Sequence, residues 1–365
     1  MVHQNRSFPG SIIGDAEFIR KILIVLGLVL LALLLWTLAD ILLLAFGAVL
    51  VAIILKTSAE SLVRYLHVPE RWSLLLAGIL IFVLLIGIGI LFGAQIRSQF
   101  ANVLERLPSA VEDFSKNLGL GAVRGDLSEM LDSVPTSGIA ARLAGIGGMI
   151  LGGLANFFLV VIAGIYIAAT PRVYSQGLVK LFPPSYHERV EDSLTASGEA
   201  LKLWLITQLI SMVCVGVLST LAFWFLGLPS PYALGLIAGL ADFIPFLGPF
   251  LGALPAVMIA FSVSSETALW TMLAVIIVQQ MESNVIFPLI ARSVVNIPPA
   301  LALFAIVAGS VLFGSPGLIF GFPLAVVAYV LVKKLYVRET LGEETSVPGE
   351  AEAAEARQTE SNPSK

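Results

Sequence analysis

Long apolar runs divide this chain, and short polar stretches separate them. A helix that crosses a bilayer needs about 20 mainly apolar residues. Ile22 to Leu55 is apolar except for Thr37 and Asp40. That is too long for one crossing, so it predicts two spans joined by a tight turn at Asp40, with the acid capping the second helix beside water. Further spans are predicted over Ser73–Ile96, Leu143–Ala169, Leu203–Leu226 and Ala268–Phe287. Two more apolar regions are interrupted, 232–263 at Pro245–Pro249 and 299–332 at "GSPG", Gly314–Gly317.

The boundaries that follow are an N-terminal flank at 1–21, three transmembrane helices within 22–96, and a polar segment at 97–142. A fourth transmembrane helix is expected at 143–169 and a cytoplasmic amphipathic segment at 170–202. A C-terminal transmembrane core occupies 203–338, and an acidic tail at 339–365 has the composition of disordered chain. In 97–142, Phe100, Val103, Leu104, Leu107, Val111, Phe114 and Leu118 recur at helical spacing, as expected of an extracytoplasmic amphipathic helix that lies on the membrane surface or caps the assembly. The fourth span opens with Gly145, Gly147, Gly148, Gly152 and Gly153, and the Gly148/Gly152 pair would let helices approach closely. The class is an all-α polytopic membrane protein.

Composition agrees: 58% of the residues are hydrophobic and 13% charged, about half the charge of a soluble domain. No Lys or Arg occurs from Leu203 to Ala291, so no basic stripe meets phosphates and nucleic acid is excluded as a partner. Cys214 is the single cysteine, which rules out an intrachain disulfide. No removable signal peptide is read at the N-terminus, which is expected to be a retained anchor. Basic residues in short loops set orientation. The flanks holding Arg20 and Lys21, Lys56 and Arg64, Arg172 and Lys180, and Lys333 and Lys334 fit one cytoplasmic face, with both termini inside. Parity then favours hairpins of inverted topology for the two broken regions.

Every backbone polar group in lipid needs a partner within the protein, so a break is tolerated only when buried or lining a watery cavity. Pro245 and Pro249 each remove a donor, Gly248 permits a sharp turn, and matched broken segments point to a transporter's binding site. Asp242 stands one helical turn before the first break, and intramembrane acids mark paths or partners. Glu282 lies in "QQMESNVIFP", where Gln279, Glu282 and Ser283 share a helix face. Asp242 and Glu282 are the candidate cation- or proton-binding residues. Gln279, Asn284, Pro245, Gly248, Pro249, Gly314 and Gly317 are candidates for the solute path, and Arg292 is a candidate ion-pair partner. The competing reading for the polar stripe is interhelical bonding that only holds the bundle together. Trp204 is expected at the membrane interface. No nucleotide loop or paired metal-binding histidines occur, so neither enzyme nor ATP-driven pump is indicated, and no cofactor or metal is implied.

These motifs resemble the autoinducer-2 exporter (AI-2E) family of bacterial permeases over roughly Ile22–Val337. The segment "LKLWLITQLISMVCVGVLSTLAFWFLGLPSPYALGLIAGLADFIPFLGPFLGALPA" is similar to the family's fifth span and its Ile-Pro-x-x-Gly-Pro break. "QQMESNVIFPLI" resembles its Gln-x-x-Glu segment, and "AGSVLFGSPGLIFGFPLAVV" its Gly-rich segment with a later Pro. One departure is "NIPPAL", where many relatives carry a histidine near the position of Pro298. The resemblance implies about eight helical membrane segments in a bacterial inner-membrane protein and a homo-oligomer, a pentamer. It also implies transport of an autoinducer-2-like polar solute or sodium(lithium)/proton antiport. A non-transporting scaffold is the alternative from another class, and a passive channel a third option.

Overall fold

The computed structural model describes residues 15–83, 86–87, 155–290, 297–338 and 341–343. All the regular structure there is helical. The expectations for 97–142, for the glycine-rich opening of the fourth span and for Arg292 fall outside the described residues.

Helix α1 (Asp15–Thr37) leads into α2 (Ala39–Leu66). The break falls at Leu38, ahead of the predicted Asp40, and the Leu38 and Leu42 amides still bond the carbonyls four residues back. Asp40 lies exposed in the first turn of α2 and makes no cap, although its charge suits that helix end. Helix α3 (70–83) follows, then α4 (Ala155–Ala169) and α5 (Pro171–Val179).

Helix α6 (His187–Phe225) is the organising element. Sequence polarity suggested a separate segment ending near Lys202. Instead, one unbroken helix carries the chain from polar to apolar surroundings. Its buried stripe runs Ser193, Ser197, Ala200, Trp204, Gln208, Ser211, Val215, Ser219 and Phe223, at the three- and four-residue steps of a helix face. Small side chains on this stripe let neighbours come close. Lys202 pairs with Glu60 of α2 at 2.8 Å, and the buried Lys334 pairs with Asp192 at 2.5 Å, stapling the polar end of α6 to two other helices.

The first broken region forms α7 (Pro231–Ala241) and α8 (Gly248–Val263). A Cβ on Gly248 would stand 2.5 Å from the Ala241 carbonyl oxygen, and one on Gly252 would stand 2.7 Å from the Ala238 Cα. Contacts advance along α8 while retreating along α7, so the two helices pack antiparallel, as a hairpin. Gly239 and Gly235 of α7 meet Gly216 and Thr220 of α6 by the same logic, making a tight three-helix sandwich.

Helix α9 (Ser265–Met281) continues through a wider π-helical turn, Glu282–Ile286, into α10 (Phe287–Ile290). Helix α11 (Pro299–Leu331) has a non-helical residue within it, Gly314, at φ 64° and ψ −143°. That conformation is reserved for glycine. Gly309 meets the Gly317 carbonyl and Gly321 meets Ala305 and Ile306, so the arms either side of Gly314 also fold back on each other. Both broken regions are therefore hairpins, as parity favoured.

Among the described residues, five helices are long and apolar enough to cross a membrane, counting α11 as one although it folds back at Gly314, or six if α4 and α5, bent by 88° at their junction, make one span. This corrects the eight segments that the resemblance implied. At about 1.5 Å per residue, α7 and α8 are about 16 and 24 Å long, short of a hydrocarbon core of about 30 Å. The described part of α3 is too short as well.

Candidate functional site

The site assembles where the first hairpin turns against α6 and α9. Asp242 follows the last residue of α7 and is only 4% exposed. Its Oδ2 is buried without a hydrogen-bond partner. The carboxyl lies against the Ser211 hydroxyl and near Glu282. Ser211 donates its single proton to Glu282 Oε1 at 2.8 Å, and the Gln279 amide donates to Glu282 Oε2. One hydroxyl thus stands between two carboxyls from different helices. The stripe of α6 supplies it, and the end of α9 supplies Gln279 and Glu282 one helical turn apart. Glu282 opens the π-helical turn, a feature that often accompanies functional sites.

The break itself is closed by local bonds. Proline at 245 deprives the Ala241 carbonyl of its helical donor, but the Ile244 amide reaches it instead at 3.0 Å. Proline at 249 frees the Pro245 carbonyl, which accepts from Leu247 at 2.8 Å. Both carbonyls that the prolines free thus find donors within the turn. The Asp242 carbonyl takes its donor from a distant element, the Gln208 amide at 2.6 Å. Gly248 does not make the sharp turn; Phe246 does, at φ 66°, while Gly248 supplies the close approach of α8 to α7. Pro249 stands in the first turn of α8 and, with Gly248, Gln279, Ser219 and Val278, lines a narrow cavity with room for about one water.

Of the predicted site residues, Asp242, Glu282 and Gln279 come together. Asn284 does not join them. It bonds the carbonyl and side chain of Gln280 on an exposed face. Gly314 and Gly317 belong to the second hairpin, where Gly314 makes an exposed turn and Gly317 a buried backbone contact.

Three residues joined the site without being singled out for it. Ser211 bonds the Glu282 carboxyl, and Gln208 bonds the backbone carbonyl of Asp242. Trp204, expected at the interface, is 4% exposed and packs on Phe243, beside Asp242, with ring centroids 5.7 Å apart. Its other neighbour is Phe322 of the second hairpin, at 5.4 Å. The signal that could have found all three is their recurrence at positions 204, 208 and 211, one face of a long helix.

The sequence model described as "AI-2E family transporter" matches residues 23–337, most of the chain. The chain belongs to that family. This AI-2E family transporter is 35% identical over 152 residues to "Putative transport protein YrrI" of Bacillus subtilis, covering 42% of this chain and 43% of that relative. It is 27% identical over 292 residues to "Putative transport protein YueF" of the same organism, covering 74% and 77%. A "Putative transport protein" of Thermotoga maritima is 24% identical over 227 residues, covering 61% and 68%. The chain thus spans under half of YrrI's length but about three quarters of YueF's. Family and fold together make this a multi-pass membrane transporter.

Proposed function

We propose that this transporter couples flux to a proton or a monovalent cation held between Asp242 and Glu282. The observation that carries this reading is the Asp242 carboxyl, nearly sealed from solvent, with one oxygen free of partners and the other group's charge close by. A buried carboxylate beside a second, half-buried one is costly unless a positive charge joins them. A proton on Asp242 can be donated to Ser211 Oγ, whose own proton is committed to Glu282, giving a continuous path between the two acids. A bare Na+ or Li+ has the same oxygens to ligate it, and the adjoining cavity suits a species of that size.

The protein would sit in the bacterial plasma (inner) membrane with both termini in the cytoplasm, as the distribution of Lys and Arg favours. It would assemble as a homo-oligomer. The second reading is ion-coupled export of a small autoinducer-2-like solute, which the family's description favours. Proteoliposomes under an imposed pH gradient test both, with sodium, lithium and autoinducer-2 supplied in parallel. Asp242→Asn combined with Glu282→Gln should abolish gradient-driven flux. Unchanged flux in that double variant would remove the ion site from these acids.

A further inference from the structure

The junction of α4 and α5 has surface chemistry of its own. Thr170 precedes Pro171, and the residue before a proline is pushed out of the helical region; here it adopts φ −134° and ψ 59°. Proline is well suited to begin a helix, so a new one starts at once, bent by 88° from α4. If α4 runs along the membrane normal, α5 lies in the plane of the interface.

The exposed side of α5 is divided. Arg172, Gln176 and Lys180 recur every four residues and form one ladder. Tyr174 and Leu178 form another, and Val173 and Leu181, eight apart, a third between them. Val173 is 66% exposed and Leu181 79%, while Val179 turns inward and anchors the helix. Phe182 and Tyr186 extend the apolar surface. From Thr170 to His187 there is no acidic residue, so this surface is basic as well as greasy.

We propose that the α5 elbow is a docking surface for anionic lipid headgroups of the protein's own bilayer. The apolar ladders enter the acyl boundary, and Arg172 and Lys180 reach along the adjoining edge to headgroup phosphates. Charge complementarity selects the occupant: a zwitterionic surface satisfies the apolar ladders equally well but leaves two cations uncompensated. The elbow anchors the start of α6, whose stripe carries Ser211 and Gln208, yet this inference does not depend on what the transporter moves.

The test uses the full-length protein in nanodiscs of phosphatidylcholine mixed equally with phosphatidylglycerol. Native mass spectrometry reads which lipid stays bound on release. Each cation contributes roughly fivefold to anionic-lipid preference. Arg172→Gln with Lys180→Gln should therefore strongly reduce the enrichment of phosphatidylglycerol, while the exposed Arg64→Gln should leave it nearly unchanged. Equal enrichment in wild type and double variant overturns the proposal. Depth is read separately, from a spin label at position 181 in a Leu181→Cys, Cys214→Ser background. Oxygen-accessible, nickel-shielded collisions are expected there; a fully aqueous label, as under a docked soluble partner, overturns the proposal too.

Discussion

The two hairpins are built alike and equipped differently. Each folds back on itself through close backbone contact, Gly248 and Gly252 against Ala241 and Ala238 in one, Gly309 against Gly317 and Gly321 against Ile306 in the other. The second turns on Gly314 alone, in a conformation glycine adopts freely, and carries no acid. The first turns over six residues between α7 and α8, holds Asp242 at its start, and borrows a donor from Gln208 of another helix. The same fold-back thus carries an acid in one copy and none in the other. The polar turn is the one that needs outside help, because its freed backbone groups must be satisfied away from water.

The shared architecture breaks most severely where backbones touch. A side chain on Gly317 would overlap the Gly309 carbonyl, and one on Gly248 the Ala241 carbonyl. Backbone cannot move aside as a flexible side chain can. Gly317→Val and Gly248→Val should both abolish accumulation of folded protein, read by monodispersity after detergent extraction. If only one did, the two zippers would not be equivalent. Next in size is the ring that joins the hairpins. Trp204 packs between Phe243 and Phe322, so Trp204→Ala removes contacts to both at once. Large-to-small changes of buried aromatics cost about 3–5 kcal/mol. A marked drop in melting temperature is expected, with Trp204→Phe recovering much of it.

Gln208→Leu separates the hairpins more finely. It keeps the volume of the side chain but orphans the Asp242 carbonyl, which costs about 1–3 kcal/mol. No counterpart is needed by Gly314, so the damage should be local to the first turn. A modest loss of stability with a larger loss of ion-driven flux is the expected result; equal effects on both would make Gln208 a structural strut alone.

The sequence made parts of this legible and hid others for physical reasons. Pro245 and Pro249 announced the first break because each removes a helical donor, the "GSPG" cluster announced the second, and the intramembrane cost of charge announced Asp242 and Glu282. Gln208 and Ser211 stayed hidden because neutral polar side chains are unremarkable on a helix, and only their partners, 34 and 71 positions away, give them meaning. Trp204 looked interfacial because it stands near the polar end of its span, but α6 runs unbroken into the polar region and buries that level. Asn284 was a candidate for the solute path, yet within the π-helical turn it bonds Gln280 instead. Among the described residues the count falls below eight because α7 and α8 are each too short to cross, and part of the third span and the start of the fourth lie outside those residues.

The smallest expected effect bears on why the first turn does not use glycine. Phe246 holds φ at 66°, where a side chain costs about 1–2 kcal/mol relative to glycine. Gly248, two positions on, cannot take over that role because it is needed for contact with α7. The Phe246 ring is 42% exposed, so little buried surface offsets the strain. Phe246→Gly relieves it but frees the unfolded chain, and the two terms nearly cancel. A change in melting temperature of no more than a few degrees is expected. Flux decides the rest. If Phe246→Gly leaves transport intact, the strain is incidental. If stability holds while ion-driven flux falls, the strained turn is what keeps Asp242 poised, and this hairpin differs from the other in stored strain as well as in charge.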